Sequence, residues 1–329
     1  MEFALRPHMQ AVTLEVILRA VYGLTDIEGA REVIEEFARA SDALLVPALL
    51  RRRWFPPWRR FLSARAALDE LIYSTIADRR ADPDAGSKDD VLSLLLRATD
   101  EDGTPLNDNE LRDELVTIVG AGHETTATAL SWAVERLTHN PDVLARLRAS
   151  LEAGETEYLD ATIKETLRAR PIIADVARLV KAPLTVGGYA VPEGSILLAA
   201  IAAMHQRPDV YPEPERFRPE RFLEATGADT YTWIPFGGGV RRCLGATFAF
   251  EEMRIVLREI VTRASFASVS DGGERAAMRN ITLAPAQGAR VRLTELERAD
   301  AERAVPVGAG AAAALHAGGL EDRLEPVGE

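Results

Sequence analysis

A single cysteine occurs among 329 residues, and its neighbours are those that turn a thiol into a metal ligand or a nucleophile. Cys243 follows Gly237, Gly238 and Gly239, which let the backbone turn tightly and bring N–H groups close to whatever sits in the loop. Beyond it, Ala249, Met253, Val256 and Ile260 recur at spacings of four, three and four, the apolar face of a helix. The sulfur is therefore expected at a helix N-terminus, where free N–H groups and the dipole favour an anion. Arg241 and Arg242 add positive charge beside it, and such surroundings favour the thiolate. Taken alone, a lone cysteine also reads as a small buried hydrophobe.

Two further groups have the residue types and spacing for chemistry. Gly120-Ala-Gly-His-Glu-Thr-Thr126 lies inside a helical pattern, and each glycine there costs roughly 1 kcal/mol relative to alanine. Such glycines make sense where something flat or bulky approaches the backbone, or where the helix opens locally. Glu124 and Thr125, at that weak point, form an acid–alcohol pair able to pass protons inward from water. The alternative is an exposed Glu124 with threonines bonded back to the preceding turn. His123 has the residue type of a metal ligand. Glu165 and Arg168, three apart, share a helix face, an arrangement that by default is a surface salt bridge of little worth.

Phe236, Gly239, Arg241, Cys243 and Gly245, five fixed positions in ten residues, resemble the haem-binding loop of the cytochrome P450 family. The resemblance extends to Ala121-Gly-His-Glu-Thr-Thr126, similar to the family's Ala-Gly-x-Glu-Thr-Thr motif. It also takes in Glu165-x-x-Arg168 ahead of Pro171, and Pro219-Glu-Arg-Phe222, similar to the segment that contributes a second arginine. It implies that Cys243 is the axial ligand of haem iron, held in a loop built from Phe236, Gly239, Arg241 and Gly245. It further implies that Ala121 and Gly122 pass the distal face of the cofactor, with Glu124 and Thr125 serving dioxygen activation. A distal histidine is not part of the pattern, so His123 is structural. Glu165, Arg168 and Arg221 are implied to form a buried charged triad whose role is structural. Arg178 and Arg241 are implied partners of the haem propionates, and Ile172, Ile173, Ala174 and Val176 are expected to face the substrate.

The implied fold is mainly α with a small β portion, and the implied cofactor is haem b, iron protoporphyrin IX. The implied reaction inserts one atom of dioxygen into an apolar small-molecule substrate. No Gly-x-Gly-x-x-Gly fingerprint for flavin or nicotinamide is present, so electrons are expected from a separate donor such as a ferredoxin with its reductase. Docking is expected near Arg241 and Arg242. Two rival readings stay open: a non-catalytic, truncated haem-binding fragment, and a haem-thiolate enzyme that uses peroxide. Set against the family, the chain starts well inside the fold, without the N-terminal helices, part of the main sheet and one propionate-binding helix.

The elements that must carry these residues follow from periodicity. Helices are expected over Gln10–Leu24, Glu28–Leu45 and Arg59–Arg80, with Arg51–Arg60 as a solvated loop of five arginines interleaved with aromatics. By resemblance this loop lies between the two helices that roof the substrate entrance. Asp82–Asp90 reads as a loop, and Asn107 with Glu110 as a capping box opening a long helix. Tyr158–Ala169 is the next helix. Leu184–Val186 and Tyr189–Val191 make a hairpin around Gly187-Gly188. Ser195–Ala203 is expected as a strand, and Ile281–Ala284 with Arg290–Leu293 as a final hairpin. Residues 1–296 are read as the catalytic domain and 297–329 as an alanine- and glycine-rich mobile tail.

Composition sets the remaining bounds. The net charge of −12, from 51 acidic and 39 basic side chains, argues against nucleic acid as a partner. One cysteine excludes an internal disulfide framework and fits a reducing cytoplasm. No apolar run approaches the eighteen or so residues of a membrane span, and Glu2, Arg6, Pro7 and His8 stand where a signal peptide needs an apolar region.

Overall fold

The structure is a computed structural model describing residues 1–224 and 231–296. The expected tail at 297–329 lies outside the described residues. In chain order the first elements are β1 (Glu2–Ala4), α1 (Arg6–Ala20), α2 (Glu28–Ala40), α3 (Pro56–Ala81), α4 (Val91–Arg97) and α5 (Asp108–Thr138). Next come α6 (Pro141–Glu152), α7 (Glu157–Ala169), the short strands β2 (Val176–Leu179), β3 (Leu184–Val186), β4 (Tyr189–Val191) and β5 (Ile196–Ala199), and α8 (Ile201–Met204). The chain closes with α9 (Ala246–Arg263), β6 (Ala264–Ser268), β7 (Ala276–Arg279), β8 (Thr282–Pro285) and β9 (Arg290–Leu296). The architecture is mainly α with a small β portion, as expected. Among the described residues no helix is long and apolar enough to cross a membrane.

Two compact units are distinguished: residues 10–124, and residues 1–9 together with the described residues from Thr125 onward. In the first, Leu14, Ile17 and Leu18 of α1 pack with Ile34 of α2, Leu68 and Ile72 of α3, and Leu111 and Leu115 of α5. The start of α5 is fixed by sequence: Glu110 N–H donates to Asn107 Oδ1 at 3.1 Å, and Asn107 N–H donates to Glu110 Oε2 at 2.9 Å. This reciprocal pair is the capping box read from the two side chains. Helix α2 ends at Ala40 rather than Leu45, and a tighter 3₁₀ turn takes Ser41–Leu45. Helix α3 starts at Pro56, inside the expected loop, because prolines fit the first helical positions where no N–H partner exists. In the remaining loop Arg51 donates to Val46 O at 2.9 Å, and Trp54 is 70% exposed.

The second unit is built on the later part of α5 packed with α6, α7 and α9 through Leu130, Trp132, Leu147, Leu159, Ile163, Met253, Leu257 and Val261. Its three-stranded antiparallel sheet has the order β1-β9-β6, with Phe3 opposite Val291 and Ser268 opposite the same Val291. The β3–β4 hairpin turns at Gly187 and Gly188, with φ of 57° and 86°, which only glycine adopts freely. Two strand expectations are corrected. The extended part of Ser195–Ala203 is only β5, paired with β2, after which the chain enters α8. The final hairpin does not form: β8 pairs with β7, and β9 pairs with β1 and β6. Alternating apolar residues specify a face, not the remote strand that will pair with it.

Candidate functional site

Cys243 sits between a 3₁₀ turn at Gly239–Arg241 and α9, three residues ahead of the helix. The loop closes on itself: Cys243 N–H donates to Phe236 O at 2.9 Å, Gly237 N–H to Ile234 O at 3.0 Å, and Arg242 N–H to Gly239 O at 3.0 Å. Gly237 and Gly239 hold φ of 70° and 65°, a left-handed conformation that a side chain strains. Phe236 anchors the loop inside the unit, its ring meeting Trp233 edge-on at 6.2 Å. The rest faces outward. Cys243, Arg241, Arg242 and Gly245 are exposed, and Val240 and Leu244 are wholly so.

This apolar surface beside a lone thiol needs explaining, since a solvated loop gains nothing from two bare aliphatic side chains. Among the described residues, no group of three or more His, Cys, Asp or Glu could hold a bare metal ion. A single soft sulfur donor suits an iron that brings its own nitrogen ligands in a flat, apolar ring. The exposed arginines suit that ring's carboxylates. The donor set and its surroundings therefore fit a haem.

Behind the loop lies a buried polar network. Arg168 grips Glu165 with both arms of its fork, Nε to Oε2 at 2.7 Å and Nη2 to Oε1 at 2.9 Å, and both side chains are fully buried. Arg221 reaches the same carboxylate at 3.1 Å, and Arg218 N–H donates to it at 2.8 Å. Arg168 also donates to His205 O at 2.9 Å and Pro214 O at 2.8 Å. The ring of His205 accepts Ile234 N–H on Nε2 at 3.0 Å, and burial, with Arg168 adding to it, pushes that imidazole down to about 4. A chain of contacts thus runs from Glu165 through Arg168, His205, Ile234 and Gly237 to the cysteine loop. His205 was not singled out from the sequence, and nothing in its local pattern marks it.

The α5 residues divide between the units: Ala121, Gly122 and Glu124 belong to residues 10–124, and Thr125 to the other unit. Gly122 has a packing reason of its own, because a Cβ there would meet Ile17 Cδ1 at 2.7 Å. Glu124 is half-buried and accepts Gln10 Nε2–H at 2.6 Å. His123 is buried, its Nδ1 3.0 Å from Val119 O, while its carbonyl accepts the Thr13 hydroxyl at 2.9 Å. Arg178 lies exposed on β2 and donates to Ala177 O at 2.9 Å. Ile172 is buried, and Ile173, Ala174 and Val176 are half-buried.

On helix α9, Met253 is buried as the periodicity predicts and Val256 and Ile260 are partly buried against the same core, while Ala246, Leu257 and Val261 are buried in addition. Glu252 is buried with them, hydrogen-bonded to Thr126, and burial pushes its carboxyl up to about 8. The sequence did hold a signal: Glu252 is three residues past Ala249 and four before Val256, on the apolar side of the helix.

Known proteins resemble this chain over most of its length. The family model described as Cytochrome P450 matches residues 3–290. A Mycobacterium tuberculosis protein named "Putative cytochrome P450 135B1" is 44% identical over 330 residues, covering 96% of this chain and 69% of the relative. The cytochrome P450 137 sequence of the same organism is 43% identical over 88% of this chain and 62% of its own length. Among solved structures, a retinoic acid-bound cyanobacterial CYP120A1 superimposes with a TM-score of 0.79 at 27% identity, over 90% of this chain and 70% of that one. The haem domain of cytochrome P450DA shares the fold at the same TM-score and 22% identity, over 90% and 68% of the two chains. With the match running from the first strand into the last, the chain belongs to the cytochrome P450 family.

Proposed function

We propose that residues 1–296 form a haem-thiolate monooxygenase domain that converts an apolar C–H bond to C–OH. The reaction consumes dioxygen, two electrons and two protons and releases water. The observation that carries the reading is the outward-facing thiol of Cys243 in a backbone-closed loop, flanked by bare Val240 and Leu244. Haem b bound through that sulfur supplies the redox iron at which dioxygen is activated, and a thiolate ligand favours O–O cleavage.

The chain's own residues do the rest. Cys243 Sγ holds the iron, and Phe236, Gly239 and Gly245 shape the loop that presents it. Arg241 and Arg178 pair with the ring's carboxylates. Ala121 and Gly122 leave the α5 backbone free of bulky side chains, so that a flat face can approach. Glu124 and Thr125 hold and pass protons inward, which is needed chiefly when dioxygen is reduced, and this disfavours the peroxide-using alternative. Glu165, Arg168 and Arg221 keep the chain beneath the loop fixed. Ile172, Ile173, Ala174 and Val176 face an apolar substrate; the fold neighbour that binds retinoic acid, a mostly apolar molecule, supports that class. Electrons come from a ferredoxin and its reductase, or a similar cytoplasmic donor, docking at the Arg241 and Arg242 face, with affinity that falls as salt rises.

The test is the Thr125→Ala variant. It should retain haem and consume electrons while diverting a larger share of them into peroxide. Unchanged coupling of electron use to product formation would contradict the assignment of Thr125.

A further inference from the structure

The β7–β8 hairpin takes no part in the reading above, and a buried acid on α5 holds it. Glu135 is 1% exposed, and a carboxylate buried to that degree costs free energy unless it is paired and hydrogen-bonded. Arg136 pairs with it, Nε to Oε2 at 2.5 Å and Nη2 to Oε1 at 2.6 Å. A further partner is remote: Glu274 N–H, 139 residues along the chain, donates to Oε1 at 2.8 Å. The loop ahead of Glu274 lies directly on this pair, since a Cβ on Gly273 would meet Arg136 Nη2 at 1.9 Å and Glu135 Oε1 at 3.2 Å. His139, one turn further along α5, adds a third grip: its Nδ1 is 2.8 Å from Glu135 O and its Nε2 is 2.9 Å from Ser268 Oγ.

Glu274 stands where the two ends of the hairpin meet. Its carboxylate accepts Gln287 N–H at 2.9 Å and Arg290 N–H at 2.6 Å, both beyond β8, and Ala286 N–H donates to Arg275 O at 3.0 Å. Within β8, Leu283 O accepts Trp132 Nε1–H at 2.9 Å, and Leu283 N–H donates to Ile172 O at 2.7 Å. Trp132 and Glu135, three apart, share one face of α5. Near the turn of the hairpin Met278 and Ile281 are 60% and 73% exposed, so this end has little packing of its own and the root sets where the hairpin lies.

We propose that Glu135 is a positioning residue for the segment that faces the substrate: by fixing Glu274 it sets the hairpin, and the hairpin, through Leu283, sets the backbone at Ile172. Leu283 passes the placement on because it is tied on both sides, to α5 by its carbonyl and to Ile172 by its N–H. The effect falls on the shape of the apolar wall, and so on the fit of a bulky molecule. That role rests on the function proposed for Ile172, Ile173, Ala174 and Val176.

The experiment compares wild type with three variants. Glu135→Gln keeps an acceptor for Glu274 N–H, Glu135→Leu has none, and Gly273→Ala forces the loop off Arg136 while Glu135 stays. Amide exchange is read at Leu283 and, as a control, across α7. Loss of one buried hydrogen bond should speed exchange at Leu283 about tenfold in Glu135→Leu and Gly273→Ala, with α7 unchanged and Glu135→Gln within about twofold of wild type. The haem-loaded proteins are then titrated with imidazole and with 4-phenylimidazole, followed by the shift of the Soret band. Imidazole is too small to feel the wall, so its Kd should stay within about twofold throughout, while that of 4-phenylimidazole should change about tenfold in Glu135→Leu and Gly273→Ala and return in Glu135→Gln. Exchange that rises equally in α7 and at Leu283, or 4-phenylimidazole binding that stays unchanged, would overturn the proposal. If neither compound moves the Soret band in any form, the haem reading fails instead. Amide exchange across residues 172–176 then decides: faster in Glu135→Leu and Gly273→Ala than in wild type and Glu135→Gln supports positioning, and equal rates overturn it.

Discussion

Replacing Arg168 by alanine tests the physical claim beneath the cysteine loop. The guanidinium is fully buried, makes two bonds of 2.7 and 2.9 Å to Glu165, and satisfies His205 O and Pro214 O. Its removal leaves the carboxylate with Arg221 and one backbone N–H, strands two carbonyls, and opens a cavity. Breaking a buried pair costs about 3–5 kcal/mol, mostly the penalty of the charge left behind. Against a total stability of about 5–15 kcal/mol, this is a large fraction. Arg168→Lys should also be costly, since one ammonium cannot span both carboxylate oxygens and two carbonyls. Arg146→Ala is the internal control: its bond to Glu220, at 2.8 Å, is short too, but its side chain is 56% exposed, so the loss should stay below about 1 kcal/mol. Urea unfolding followed by tryptophan fluorescence reads all three, with Trp233 well placed between Lys164 O and the Phe236 ring. If Arg168→Ala cost no more than Arg146→Ala, the triad would be ornamental and the loop would be held by something else.

Two further outcomes follow from the same network and from α5. His205 is neutral in the fold, with its pKa held at about 4 against 6.5 unfolded, so the unfolded chain binds the extra proton first. Its contribution to stability should be intact above about pH 6.5 and be lost progressively as pH falls toward 4, by up to about 3 kcal/mol. A His205→Gln variant lacking that acid-side slope relative to wild type would support this, and an unchanged slope would refute it. Gly122→Ala should destabilise despite alanine's better helix propensity, because the new Cβ meets buried Ile17. Adding Ile17→Val should recover part of the loss, and strict additivity in a double-mutant cycle would refute the contact.

Much of this arrangement was legible because it is local. The capping box of Asn107 and Glu110, the Gly187-Gly188 turn and the motif around Cys243 each lie within ten or so residues, where side-chain type and spacing fix the geometry. What escaped is what the chain decides at a distance. Strand β9 pairs with β1, bringing Glu2 opposite Arg292, and no alternation in either segment announces that partner. Arg79, Asp90 and Ser93 form a buried cluster in the 10–124 unit whose members look like ordinary surface residues in sequence. His205 and Glu252 are polar residues in apolar settings, and such residues matter through what encloses them. The buried face of α9 is wider than its periodicity announces: Leu257 and Val261 turn inward beside the expected Met253, Val256 and Ile260.

The central claim is that Cys243 presents a thiolate to haem iron, and its most direct test is an absorption spectrum. The purified chain is reconstituted with haem, reduced and exposed to carbon monoxide, beside a Cys243→Ser variant. A strongly red-shifted Soret band in the wild type, lost in the variant, is the result predicted if the Cys243 sulfur would hold the iron. Haem that fails to bind, or that binds with the same unshifted band in both proteins, would contradict it.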